Sequence, residues 1–170
     1  MSREETQKIL DKINLSICDF SQDDQDLLTN DANERSISHK LAEHLQKHFH
    51  GLKVDCEYNR HGDAVKKLER PVIPDIVIHK RGIDEHNLCV IEIKKSNSND
   101  NSDRDEEKLC AFTGDEYKYQ LGVFLVADIN NKSLKIERIF QSGQEINDSR
   151  IRRSPSWATA KGYLLWDCDK

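Results

Sequence analysis

Several things are missing from this 170-residue chain, and each absence narrows the field. There is no run of about 18 apolar residues and no basic-then-apolar leader, so the protein is expected to be soluble and cytoplasmic, with no membrane partner. The five cysteines, at positions 18, 56, 89, 110 and 168, contain no C-x-x-C. That spacing suits neither a zinc site nor a disulfide framework, and fits a reducing compartment. Cys56 and Cys89 fall in apolar runs and read as buried thiols. There is no excess of positive charge: 26 Lys and Arg stand against 31 Asp and Glu. This argues against constitutive, high-affinity binding to nucleic acid. The seven histidines show no ligand spacing; His39, His44, His48 and His50 decorate one helix and its end, where a surface position is expected. No internal repeat is present.

The charge that is there is unevenly placed. Residues 1–31 hold three basic residues against eight acidic ones, and the remainder carries 23 of each sign. The chain therefore divides into an acidic N-terminal segment, 1–31, and a neutral domain, 32–170. The length suits one domain with a sizeable core.

Periodicity gives the elements. Ile9, Ile13 and Ile17 mark an amphipathic helix over 4–19, and 21–33 reads as a polar connection. Ile37, Leu41, Leu45 and Phe49 mark a helix over 32–49, capped by Asp31 or Asn33 and stopped near Gly51. Strands are expected at 52–58, 72–79, 88–95, 121–128 and 134–140, with a polar hairpin loop over 79–87. Residues 96–104 are low-complexity and read as a loop; 105–113 form a short helix through Leu109 and Phe112. The order predicts a mixed α/β layered domain with a ragged C-terminal segment.

Two strands carry misplaced charge. Asp75 follows Pro74 and opens the run Ile76-Val77-Ile78; Glu92 and Lys94 interrupt Val90-Ile91-Glu92-Ile93-Lys94. Charges inside apolar strands are costly unless paired or bound to metal. Alternate strand residues share a face, so Glu92 and Lys94 point together. If the two strands pair with Asp75 opposite Glu92, the carboxylates are carried by Cβ atoms about 5 Å apart. They then repel unless one is protonated or a cation lies between them. Oxygen donors favour Mg²⁺ or Mn²⁺. A lysine beside them can orient a water or stabilise charge on a phosphate. A Glu-x-Lys pair on its own is also a common surface pair.

Other acids and bases join the argument. At about 100° per residue, Glu34 falls in the middle of the helix's apolar stripe and Glu43 on the opposite side. Glu34 is thus either a further site carboxylate or an N-terminal acid favoured by the helix dipole. Glu57 shares a strand face with Asp55 and is an alternative to Glu34. Arg60 and His61, with Lys66, Lys67 and Arg70 after them, form either a phosphate-contacting segment or a solvated loop.

With Pro74-Asp75 followed by Glu92-Ile93-Lys94, the chain resembles the PD-(D/E)xK nuclease superfamily. Its restriction-endonuclease-like core has helix, three strands, helix and strand in an order matching residues 32–128. The stretch 54–60, with Pro74-Asp75-Ile76-Val77-Ile78-His79 and Asn87-Leu88, looks like small bacterial members of that superfamily. The resemblance implies an α/β fold with a mixed central sheet flanked by helices. It implies hydrolysis of nucleic-acid phosphodiester bonds, DNA more than RNA, with Mg²⁺ or Mn²⁺ and a defence or mobile-element setting. It assigns the metal to Asp75, Glu92 and the Ile93 carbonyl and catalysis to Lys94 with Glu34, while the strand-face reading keeps Glu57 as a further metal candidate. The resemblance adds Lys108 as a polar residue of the short helix, and Arg60, His61, Lys95 and Lys108 are together the candidate nucleic-acid contacts. Targeting would fall to a homodimer or a partner, given the near-neutral domain. The rival readings are a catalytically silent binding module on the same fold, and an interaction protein whose acidic N-terminal segment contacts a partner or covers its own site.

Overall fold

The computed structural model describes residues 1–61, 64–65, 72–83, 86–98 and 103–154, with backbone alone at 61, 64 and 65. Its elements are α1 (Arg3–Asp23), α2 (Asp26–Thr29), α3 (Glu34–His48), β1 (Lys53–Cys56), β2 (Arg60–His61), β3 (Ala64–Val65), β4 (Ile76–His79), β5 (Cys89–Lys95), α4 (Asp103–Thr113), β6 (Leu121–Asp128), β7 (Ser133–Gln141) and β8 (Gln144–Glu145). Six strands form one mixed sheet in the order β1-β4-β5-β6-β7-β8. The β5–β6 pair is parallel and its connection carries α4; the other neighbours are antiparallel. The sequence expectation of a mixed α/β domain with helices flanking a sheet is met at this level. Among the described residues, no helix is long and apolar enough to cross a membrane.

Helix starts follow local chemistry. Ser2 and Glu5 make a reciprocal capping box at α1, and the Asn33 side chain accepts the Ser36 N–H at the start of α3. The apolar stripes of α1 and α3 then pack on one face of the sheet. Leu10, Ile13, Phe20, Leu41 and Leu45 meet Ile76, Ile78, Ile91 and Ile93 there, all buried. Fully burying one such side chain contributes roughly 1.5–3 kcal/mol, so the paired stripes fix which face the helices cover. On the other face, α4 sets Leu109 and Phe112 against Val77, Val90 and Phe124.

Three departures from the sequence reading have clear causes. The polar stretch 21–33 is largely helical: α1 runs to Asp23 because Phe20 is buried, and α2 forms because Leu28 is buried too. Strand β1 ends at Cys56, and the chain turns at Glu57 with φ 50°. His44 and His48 are not surface decoration. His44 is buried, with Nε2 2.8 Å from Asp24 Oδ2, and His48 Nε2 lies 2.8 Å from Asp19 Oδ2. Both face α1, whose acids satisfy them. The Lys47 ammonium can only donate, so at 3.1 Å it fixes His44 Nδ1 as an acceptor and Nε2–H as the donor to Asp24. Cys56, Cys89 and Cys110 are free thiols.

Candidate functional site

The pairing register builds the site. Strands β4 and β5 pair Ile76 with Ile91, Val77 with Val90 and Ile78 with Cys89. Continued by one residue, that register sets Asp75 opposite Glu92. Val77 and Val90 pack toward α4, so by strand alternation Asp75, Glu92 and Lys94 turn to the α4 face as well. The sequence-predicted triad therefore lies on one face of the sheet.

Strand β5 outruns β4. Its next partner in register would be Pro74, but β4 begins only at Ile76. The Asp75 carboxylate takes up the open position, and its Oδ2 accepts the Ile93 N–H at 2.7 Å. Two residues further, Glu34 Oε1 accepts the Lys95 N–H at 2.9 Å from the first turn of α3. Two side-chain carboxylates thus stand in for missing ladder partners along the exposed edge of β5. A strand residue sends its N–H and C=O to the same edge, so the Ile93 carbonyl also faces this gap.

Glu92 is the most confined member of the triad. It is 2% exposed, and its Oε2 accepts from the Lys108 ammonium at 2.7 Å. Its Oε1 is buried with no hydrogen-bond partner. Burial first, and then the charge of Asp75, push Glu92 well above the usual carboxylate range, against the pull of Lys108. Asp75 is raised to about 6, chiefly by burial, with the acids Asp105 and Glu34 adding to the effect and the Ile93 N–H and Lys108 opposing it. Lys108 loses by burial and gains more from Glu92 and Asp105, so it is held above its ordinary value and stays charged.

Helix α4 supplies a carboxylate that the sequence reading missed. Asp105 Oδ1 lies 3.0 Å from Lys108 Nζ, and Asp105 Oδ2 lies 3.7 Å from Lys94 Nζ. Residues 105, 108, 109 and 112 share one helical stripe. The buried Leu109 and Phe112 already mark that stripe as facing the sheet, and extending it back one turn would have found Asp105 and Lys108 together.

The remaining candidates fall elsewhere. Register sets Glu57 opposite Asp75, and its N–H donates to the Asp75 carbonyl at 3.1 Å. The positive φ at Glu57 breaks strand alternation, however, and its exposed side chain pairs with Arg35 at 2.7 Å. Lys95 turns away from Lys94 and pairs with Asp31 at 2.6 Å. Lys108, expected at nucleic acid, is engaged by Glu92 and Asp105. Arg60 is exposed on β2, which pairs with β3 outside the main sheet. The His61 side chain, with Lys66, Lys67 and Arg70, lies outside the described residues. A surface hollow of about 480 Å³ lined by Thr113, Gly114, Tyr119 and Ser142 includes none of the site residues.

Next to the triad on the same face, Asp55 binds two partners. His79 Nε2 lies 2.9 Å from Asp55 Oδ2, and Arg81 makes a two-pronged contact with the same carboxylate. Tyr58 packs edge-on against His79, with ring centroids 4.4 Å apart. These contacts tie β1 to the end of β4.

Among the described residues, no three His, Cys, Asp or Glu side chains are disposed to hold a metal ion. The donors that are present still suit a hard cation: two carboxylates on adjacent strands, one with an unsatisfied buried oxygen, beside a backbone carbonyl. Lys108 meets part of that demand with its ammonium. No family model matches the chain, and no curated protein matches it.

Proposed function

We propose that the protein is a divalent-metal-dependent nuclease with a restriction-endonuclease-like core, hydrolysing phosphodiester bonds in nucleic acid, with DNA favoured over RNA. The observation that carries this reading is the buried, unpartnered Oε1 of Glu92 on the same face as Asp75 and Lys94. Leaving a buried acceptor unsatisfied costs about 1–3 kcal/mol, and a retained cost of that kind is a mark of a site. Asp75, Glu92 and the Ile93 carbonyl would hold Mg²⁺ or Mn²⁺. When bound, the cation supplies Lewis-acid charge for attack on phosphorus. Lys94, steadied 3.7 Å from Asp105, orients the attacking water and offsets charge on the phosphate. Glu34 sets the end of β5, and so the position of Lys94, through the Lys95 N–H.

One observation favours a second reading. Lys108 gives Glu92 an ionic partner from within the chain, as suits a catalytically silent module that binds nucleic acid or protein. The two readings separate in one assay. Single-stranded and duplex DNA and RNA are incubated with the protein in Mg²⁺, Mn²⁺ or EDTA, beside Lys94→Ala and Asp75→Ala. Metal-dependent cleavage lost in both variants is the result expected of the nuclease. Cleavage surviving both substitutions, or none on any substrate, sinks it.

A further inference from the structure

The position between Glu92 and Asp105 is already filled by a cation. Lys108 Nζ lies 2.7 Å from Glu92 Oε2 and 3.0 Å from Asp105 Oδ1, so one ammonium bridges a sheet carboxylate and a helix carboxylate. Its side chain is 15% exposed, and Lys94 approaches Asp105 from the other side. Asp75 lies close enough that its charge acts on Glu92. Glu92 Oε1 is left over, because a lysine on this helix reaches only one oxygen of the carboxylate. A divalent ion carries twice the charge of an ammonium and takes six or more oxygens, so it serves Glu92 and Asp75 together where the ammonium reaches one oxygen of Glu92.

We propose that Lys108 is a resident counter-cation of this site, and that a divalent metal ion binds by displacing its ammonium from Glu92. Asp105 is the residue that retains Lys108 once it has left: at i and i+3 on α4 the two remain paired without Glu92. The exchange leaves the lysine charged. It gives the protein a metal-free form whose buried acid is neutralised and a loaded form in which the lysine is released toward the open face. The inference rests on the metal reading above.

Competition has a measurable cost. A site free of its internal cation about a tenth of the time binds metal about tenfold more weakly than the same site emptied of it. Mn²⁺ binding to the full chain at fixed pH, followed by calorimetry and by the Mn²⁺ electron-spin signal, tests this in wild type, K108Q, K108R and D75N. The expected result is K108Q about tenfold tighter than wild type, K108R no tighter than wild type, and D75N weaker than both. K108Q should also melt lower than wild type in EDTA and gain more from Mn²⁺, a readout that keeps the test informative if that variant is fragile. Equal or weaker Mn²⁺ binding by K108Q, with D75N still impaired, overturns the displacement and leaves the metal site standing. No Mn²⁺ binding in wild type or in K108Q removes the metal reading and this inference with it.

Discussion

The Ile93 N–H donates to Asp75 Oδ2 at 2.7 Å, joining the metal-candidate carboxylate of one strand to the backbone of the next. A carboxylate that accepts a backbone N–H is held in place before any ligand arrives. It is also held where burial disfavours its charge. Those two effects pull Asp75 in opposite directions, and burial wins.

The consequence is a pH-dependent stability. Asp75 is raised to about 6, above its ordinary 3.8, so the folded state holds this proton more tightly than the unfolded chain. The stabilisation is full below pH 3.8, is lost as pH rises through 6, and is absent above. Replacing Asp75 with Asn keeps an acceptor for Ile93 and removes the charge. Urea unfolding in EDTA should find Asp75→Asn more stable than wild type by about 2–3 kcal/mol at pH 8, with the gain fading toward pH 4. An equal difference at both pH values would contradict the assignment.

Glu34 offers a test of the open edge of β5. Its carboxylate satisfies the part-buried Lys95 N–H. Glu34→Ala leaves that donor unpaired and should cost about 1–3 kcal/mol. Glu34→Gln keeps an oxygen in reach and should cost less than half as much. Denaturant midpoints for the pair decide the point; equal losses would mean that charge at the α3 terminus matters more than the hydrogen bond.

Gly122 lets α4 sit close to the sheet. A Cβ at this position would come 3.1 Å from Phe140 Cβ and 3.1 Å from Thr113 Cγ2. Gly122→Ala should therefore destabilise by about 1–3 kcal/mol. Thr113→Ser removes one of the clashing atoms while keeping the hydroxyl that bonds the Leu109 carbonyl, so it should recover part of the loss. Thermal melting of the single and double variants measures that recovery, and a purely additive double variant rules out the contact.

The triad was legible in the sequence because strand alternation is strict. Once Ile76, Val77 and Ile78 are opposite Ile91, Val90 and Cys89, Asp75, Glu92 and Lys94 have little choice of face. The mixed α/β layering was legible for the same reason, from the periodicity of Ile37, Leu41 and Leu45 and the apolar run of β6. Other features had no local signature. Nothing about Glu57 announces a positive φ in a residue that is not glycine, and that one torsion sends its side chain to Arg35 instead of the site. His44 reads as polar on a helix until α1 arrives with Asp24. Lys95 reads as a basic companion of Lys94, yet Asp31 claims it across 64 residues of sequence. Asp105 is within reach of helical periodicity, one turn ahead of Leu109 on the stripe that Leu109 and Phe112 define.

The extension of β5 beyond β4 has a consequence for observation. Two amide protons, on Ile93 and Lys95, are shielded by side chains rather than by a neighbouring strand. Their exchange with solvent is governed by Asp75 and Glu34, so release of either carboxylate opens one amide while the rest of β5 stays closed by its pairing with β4 and β6. The edge of the sheet thus carries its own clock: isotope uptake at two backbone positions times the movements of the acids, with no substrate bound and nothing cut.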